Sequence, residues 1–152
     1  MKDDPEYHEK EARFSEMTSD VTEFLVELPF HTPTATVTRK ITYQDPCHLA
    51  HAQRITTAPR IILNSIPGLE LLEMENSSLC CGGAGIYSST QPALSKRLLS
   101  RKMDSIEETG VNAVIPANPG CMLQGEQGFK AKGKSGKVRH VVDILDVAYA
   151  LE

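Results

Sequence analysis

The sequence has no apolar run near the roughly 20 residues needed to cross a bilayer. Its opening, Met1-Lys2-Asp3-Asp4-Pro5, lacks the apolar segment of a secretory signal, so the expected setting is cytoplasmic. There is no basic excess either: 16 Lys and Arg stand against 20 Asp and Glu, and a net charge of −4 argues against general nucleic-acid binding, which needs a basic surface to meet phosphates. No Gly-x-x-x-x-Gly-Lys-Ser/Thr phosphate loop and no Gly-x-Ser-x-Gly nucleophile turn occurs. There is no internal repeat of solenoid period, and the one biased segment is a Gly/Lys stretch near the carboxyl end.

What is there fits one α/β domain. A chain of 152 residues, 40% hydrophobic and 24% charged, can bury a core without covalent staples. Phe14, Met17, Val21, Phe24, Leu25 and Leu28 recur at three- and four-residue steps and predict an amphipathic helix over 5–28, with Asp4-Pro5 as cap and first turn. Pro29 and Pro33 then mark a linker, so residues 1–34 read as helix plus linker and 35–152 as the main domain. The main domain reads as a strand through Val37, Ile41 and Tyr43, a helix over 53–66, a strand over 69–74 and a helix over 90–108. A strand over 111–115, a short helix after Pro119, a loop over 128–137, a strand near 138–141 and a helix over 142–151 follow. This alternation predicts a mostly parallel sheet with helices on both faces.

Three short phrases carry the chemistry: Asp45-Pro46-Cys47-His48, Cys80-Cys81-Gly82-Gly83-Ala84-Gly85 and Asn118-Pro119-Gly120-Cys121. Each follows an apolar run, which puts all four cysteines in loops at the carboxyl ends of strands, where open α/β sheets bind ligands. In a reducing cytosol clustered thiols serve metals or redox chemistry more often than structural disulfides. A Cys80–Cys81 bridge would close a small, strained ring; inert buried thiols are the plainer alternative. Four thiolates suit an iron–sulfur cluster or zinc, although adjacent cysteines are unusual for zinc, whose paired ligands stand two to four residues apart. Gly82, Gly83 and Gly85 allow a sharp bend and close amide approach to sulfur. A dithiol–disulfide exchanger built on Cys80 and Cys81 is a third possibility. The Gly-x-Gly of this loop is poor support for dinucleotide binding, because cysteines open it and the later glycine is missing.

These phrases resemble the cysteine-rich (CCG) domain family, which includes a subunit of heterodisulfide reductase and the iron–sulfur subunits of glycolate oxidase and lactate-utilisation systems. The stretches Lys2-Asp3-Asp4-Pro5-Glu6-Tyr7, Val21-Thr22-Glu23-Phe24-Leu25 and Asn118-Pro119-Gly120-Cys121-Met122-Leu123-Gln124 most resemble the carboxyl-terminal part of the glycolate oxidase iron–sulfur protein. The resemblance implies an iron–sulfur electron-transfer subunit of a flavin-dependent 2-hydroxy-acid oxidoreductase that does not oxidise substrate alone. It implies a [4Fe–4S] cluster, with zinc in a structural or assembly module as the alternative. Cys47, Cys80, Cys81 and Cys121 would be ligands, with Gly82, Gly83, Gln124 and His48 around the pocket. FAD would sit on a partner subunit, and any membrane association would come only through the complex. The family pattern ends in Cys-x-x-Cys, whereas this chain has Gln124 at the second position and so four thiols where heterodisulfide reductase-like domains have five. That favours a simpler cluster, or partial occupancy, over a noncubane one. The Cys-x-x-Cys-x-x-Cys repeats of a ferredoxin-like region are missing, so such a region would be supplied elsewhere.

The remaining candidates have plainer readings beside them. His48 and His51 would line the site if a helix began there, or else cap a helix or lie on the surface. Asp45 reads as a turn former rather than a catalytic acid. Lys130, Lys132, Lys134, Lys137 and Arg139 read as a solvated loop or as a dock for an acidic flavoprotein surface. The apolar face of the first helix reads as core, or as an intermolecular contact.

Overall fold

In the strand β1 (Arg39–Gln44) the first two residues are exposed and the last four are all buried. A strand covered on both faces belongs in the middle of a parallel sheet with helices above and below. The computed structural model, which describes residues 4–29 and 31–151, has this arrangement. β1, β2 (Leu69–Leu71), β3 (Ala113–Pro116) and β4 (Lys137–Val138) form a sheet in the order β2-β1-β3-β4, and every neighbouring pair is parallel. Arg39 pairs with Leu69, Thr42 with Val114 and Ala113 with Lys137.

From β1 the chain steps outward to β2, then crosses back over β1 to β3. Right-handed crossovers in opposite directions place their helices on opposite faces. Accordingly α3 (Thr57–Ser65) packs with α7 (Val141–Ala150), and α5 (Pro92–Glu108) packs with α6 (Pro119–Ala131); a single turn, α4 (Tyr87–Thr90), precedes α5. The expected α/β class and parallel sheet are therefore seen. One core cluster joins Met74, Leu99, Met103, Ile106, Val114, Phe129 and Val138. The sheet's order reverses between β1 and β3, so their carboxyl ends diverge into a crevice.

Several boundaries differ from the sequence reading. The chain divides into two units, 1–30 and 31–152. In the first, the single amphipathic helix is two: α1 (His8–Glu16) and α2 (Val21–Glu27), parted where the Asp20 carboxylate caps α2 by accepting from the Thr22 amide (2.9 Å). Asp4 shapes a turn ahead of α1 rather than capping it, and of the face read as core or as an intermolecular contact, Phe14, Val21 and Phe24 are exposed. The helix expected from Gln53 is a π-helical turn over His48–Gln53, stopped by left-handed Arg54, and then α3. Strand β2 is three residues long, which frees Met74 to enter the core. The helix expected over 90–108 breaks at Gln91. The helix after Pro119 is long, continuing through Gly128, where the sequence reads as a loop. A side chain at Gly128 would meet Met103 Sδ at 2.3 Å, so glycine is what lets α6 approach α5. Met1, Lys2 and Asp3, which enter the amino-terminal readings, with Phe30 of the linker and Glu152, lie outside the described residues.

Candidate metal centre

Three loops deliver the four thiols to one place. β1 ends at Gln44 and the chain turns through Asp45-Pro46 to Cys47. β3 ends at Pro116, and Asn118 caps α6 by accepting from the Cys121 amide (3.1 Å), with Pro119 in the first turn. Cys121 thus stands on the first turn of α6. The loop after β2 brings Cys80 and Cys81. Cys47, His48, Cys80, Cys81, Gly83, Cys121 and Gln124 line a single pocket of about 450 Å³. All four cysteines are free thiols; Cys81 and Cys121 are buried, while Cys47 and Cys80 are partly open. Among the described residues, no three Cys, His, Asp or Glu side chains are grouped closely enough for a single metal ion.

The glycines do what their position requires. Gly82 adopts φ +85°, and a Cβ there would lie 2.5 Å from the Ser95 carbonyl oxygen. The Ser95 hydroxyl donates to the Gly82 carbonyl (2.9 Å), which ties the loop to α5. In this bend the Gly82 amide donates to Cys80 Sγ (3.3 Å). Gly83 sits against Cys81 Sγ, Gln124 Cγ and the Gly120 carbonyl, where an added Cβ would find them at 3.5, 3.3 and 3.5 Å.

The thiols differ electrostatically. The Cys121 S–H donates to Cys81, and this bond outweighs burial; with the amide of Gly83, the Gln44 side chain and its own amide, it brings the Cys81 pKa down to about 6. Cys121, donating to Cys81 and buried beside the other thiols, is pushed strongly the other way. Burial likewise raises Cys80, opposed by the Gly82 amide and assisted by Cys47 and Cys81. Donors aimed at the Cys81 sulfur therefore favour its thiolate form.

Behind the thiols lies a charge network invisible to motif reading. Burial would lift the Asp45 carboxyl, but the Arg60 guanidinium and Ser77 hold it below its usual value. Arg60 donates twice to Asp45 (2.8 and 2.9 Å) and twice to Glu73 (2.7 and 2.8 Å), with its guanidinium carbon 5.0 Å from the Tyr43 ring centre. Lys102 on α5, 1% exposed, donates to the carbonyls of Asn76 and Ser77, both at 2.9 Å. Its burial lowers its pKa to about 8, opposed by Cys81, Asp45, Cys121 and Cys80. Asp45, expected as a turn former, is thus an ion-pair partner as well. His48 lines the pocket, whereas His51 does not; its Nε2 is 3.2 Å from the Ser78 carbonyl oxygen, because the wide π-helical turn does not bring residues three apart onto one face. Of the basic stretch, Lys132 pairs with Asp104 and Glu107, and Lys134 with Glu107, so this part is engaged within the domain.

Sequence reasoning passed over Gln44, Arg60, Ser95 and Lys102. Lys102 had a signal: it falls on the apolar stripe of Leu99, Met103 and Ile106, where a lysine is out of pattern.

Residues 41–124 match the profile of the cysteine-rich domain family. The chain is 41% identical over 149 residues to a probable glycolate oxidase iron–sulfur subunit of Bacillus subtilis (strain 168), an alignment covering 95% of this chain and 34% of that protein. It is 38% identical to a subunit of fumarate reductase (CoM/CoB) from Methanothermobacter marburgensis, over 86% of this chain and 27% of that protein. It is 33% identical to lactate utilization protein A of Shouchella clausii (strain KSM-K16), over 95% and 61%. The chain therefore spans between about a quarter and three-fifths of the length of these curated relatives. No helix among the described residues is long and apolar enough to cross a membrane. With its three cysteine phrases folded into one pocket inside the matched segment, the chain belongs to the cysteine-rich domain family.

Proposed function

We propose that this chain is the cysteine-rich part of an iron–sulfur electron-transfer subunit in a flavin-dependent 2-hydroxy-acid oxidoreductase, with glycolate as the substrate of the whole complex. The observation that carries the reading is the meeting of four free thiols, from three separate loops, in one pocket at the sheet's switch point. The likeness to a probable glycolate oxidase iron–sulfur subunit supports it.

The donor set fits a cluster. Cys47, Cys80, Cys81 and Cys121 would hold a [4Fe–4S] centre, whose chemistry is to take up and release one electron at a time. The chain's own contribution is to orient the thiols, supply amide donors from Gly82 and Gly83, and shield one side by burying Cys81 and Cys121. His48 and Gln124 shape the pocket, with Gln124 where a fifth cysteine would complete the family pattern. A flavin-bearing subunit would oxidise the substrate, and a ferredoxin-like region elsewhere would carry electrons onward; the complex would work in the cytoplasm, touching a membrane only through other subunits. A zinc-thiolate module is the rival. Adjacent Cys80 and Cys81 favour the cluster, because the paired ligands of zinc usually stand two to four residues apart.

Anaerobic reconstitution with iron and sulfide tests the reading. The expected product is brown, with about four irons and four sulfides per chain and a paramagnetic signal on reduction. A colourless protein binding one zinc per chain in preference to iron, with all four thiols protected from alkylation, would overturn it.

A further inference from the structure

Lys102 is the least expected residue of the core. Its position on α5 lies in line with Leu99, Met103 and Ile106, where a leucine or methionine would pack without desolvating a charge. Burying an ammonium is costly unless negative charge or strong acceptors stand close by. Its contacts are the carbonyls of Asn76 and Ser77 (2.9 Å each) and Met74 Sδ at 4.0 Å, and no carboxylate among the described residues pairs with it. Two successive carbonyls reach one nitrogen because Asn76 takes a left-handed backbone (φ 56°). The segment so held leads directly into Cys80 and Cys81. The groups whose negative forms this ammonium would feel are Cys81, Asp45, Cys121 and Cys80, and Asp45 is already occupied by Arg60.

We infer that Lys102 is a positioning residue with a second role: a fixed buried countercharge to the thiolate site, which favours the electron-rich state of a bound centre and raises its midpoint potential. The inference rests on the iron–sulfur reading above. The step is balanced simply. One electron enters from a reduced flavin-type donor and one leaves to an acceptor, no bond forms or breaks, and Lys102 keeps its proton throughout. Its ammonium is preorganised by the two carbonyls, so the attraction costs no reorganisation when charge arrives.

Three variants separate charge from support. Lys102→Arg keeps the charge, Lys102→Gln keeps a donor for the loop carbonyls, and Lys102→Met keeps neither. Each is reconstituted anaerobically, assayed for iron and sulfide, and titrated at pH 7 by spectroscopically monitored potentiometry. At the wild-type midpoint, the reduced-to-oxidised ratio of Lys102→Gln and Lys102→Met should fall about tenfold, which is 59 mV for one electron. Lys102→Arg should stay within about twofold. If the folded neutral variants refuse the cluster while Lys102→Arg accepts it, the positive charge is needed for loading, which also supports the inference. A loaded Lys102→Gln with the wild-type potential overturns it and leaves Lys102 as a prop for the loop. A wild-type chain that takes up no iron and sulfide fails at the earlier step and removes the iron–sulfur reading together with this one.

Discussion

The Asp45–Arg60 pair gives the sharpest test of how the site is held. Asp45 is 3% exposed and accepts two bonds from Arg60, which is itself 22% exposed and clamps Glu73 with its remaining donors. The pair ties the carboxyl end of β1, next to Cys47, to α3 and to the segment leaving β2. Removing one partner from a buried pair leaves an uncompensated charge and typically costs about 3–5 kcal/mol. Removing both charges removes that penalty. For Arg60→Met, Asp45→Asn and the double variant we therefore expect single losses of roughly 3 kcal/mol or more and a coupling energy of about 2–3 kcal/mol, because the second substitution adds little to the first. Urea denaturation of the reduced, metal-free chain, followed by circular dichroism, provides the four free energies. Glu73→Gln is the internal control: Glu73 is 51% exposed, and its loss should cost no more than about 1 kcal/mol. Coupling below about 0.5 kcal/mol would refute the view that this pair is a desolvated clamp.

Three further outcomes follow from the same geometry. Lys102 has its pKa lowered from 10.5 to about 8, so the folded chain binds fewer protons than the unfolded one between those values and its stability should rise with pH across that window. The displacement corresponds to roughly 3 kcal/mol of burial cost present below pH 8, and the urea stability of wild type measured against Lys102→Met should climb between pH 8 and 10.5; a flat difference contradicts it. Gly82→Ala combines a left-handed backbone with a 2.5 Å collision against the Ser95 carbonyl, and should cost about 2–4 kcal/mol and abolish cluster uptake. Gly85→Ala has the same backbone hand (φ +60°) but open space around it, so only about 1 kcal/mol should be lost in thermal unfolding.

The candidate ligands were legible because they sit in local phrases. Cysteine beside glycine or proline after a strand-like run is a short-range pattern, and a parallel α/β sheet sends all such loops to one edge. The fold class was legible for the same reason, since β-branched runs alternate with three- and four-residue apolar steps. Boundaries were lost wherever tertiary contacts overruled propensity. Gly128 looked like a loop residue, yet it lies inside α6, where the close approach of Met103 leaves no room for a side chain. The break between α1 and α2 had a local signal in Asp20, but the apolar periodicity ran across it and masked the cap. His51 takes the plainer of its two readings and lies on the surface, because a π-helical turn stands where an ordinary helix would have turned it toward the site.

By itself the sequence determined which atoms are offered at the centre, four sulfurs and a set of glycine amides, and that they leave the carboxyl ends of parallel strands. Only the tertiary structure decided their setting: donors that favour the thiolate of Cys81, Asp45 locked by Arg60, and Lys102 sealed under the loop before Cys80. The physical reason is range. Hydrogen-bonding period and turn chemistry act over a few residues and can be read along the chain, whereas desolvation and Coulomb attraction depend on which layers pack together, and that is set by residues far apart in sequence.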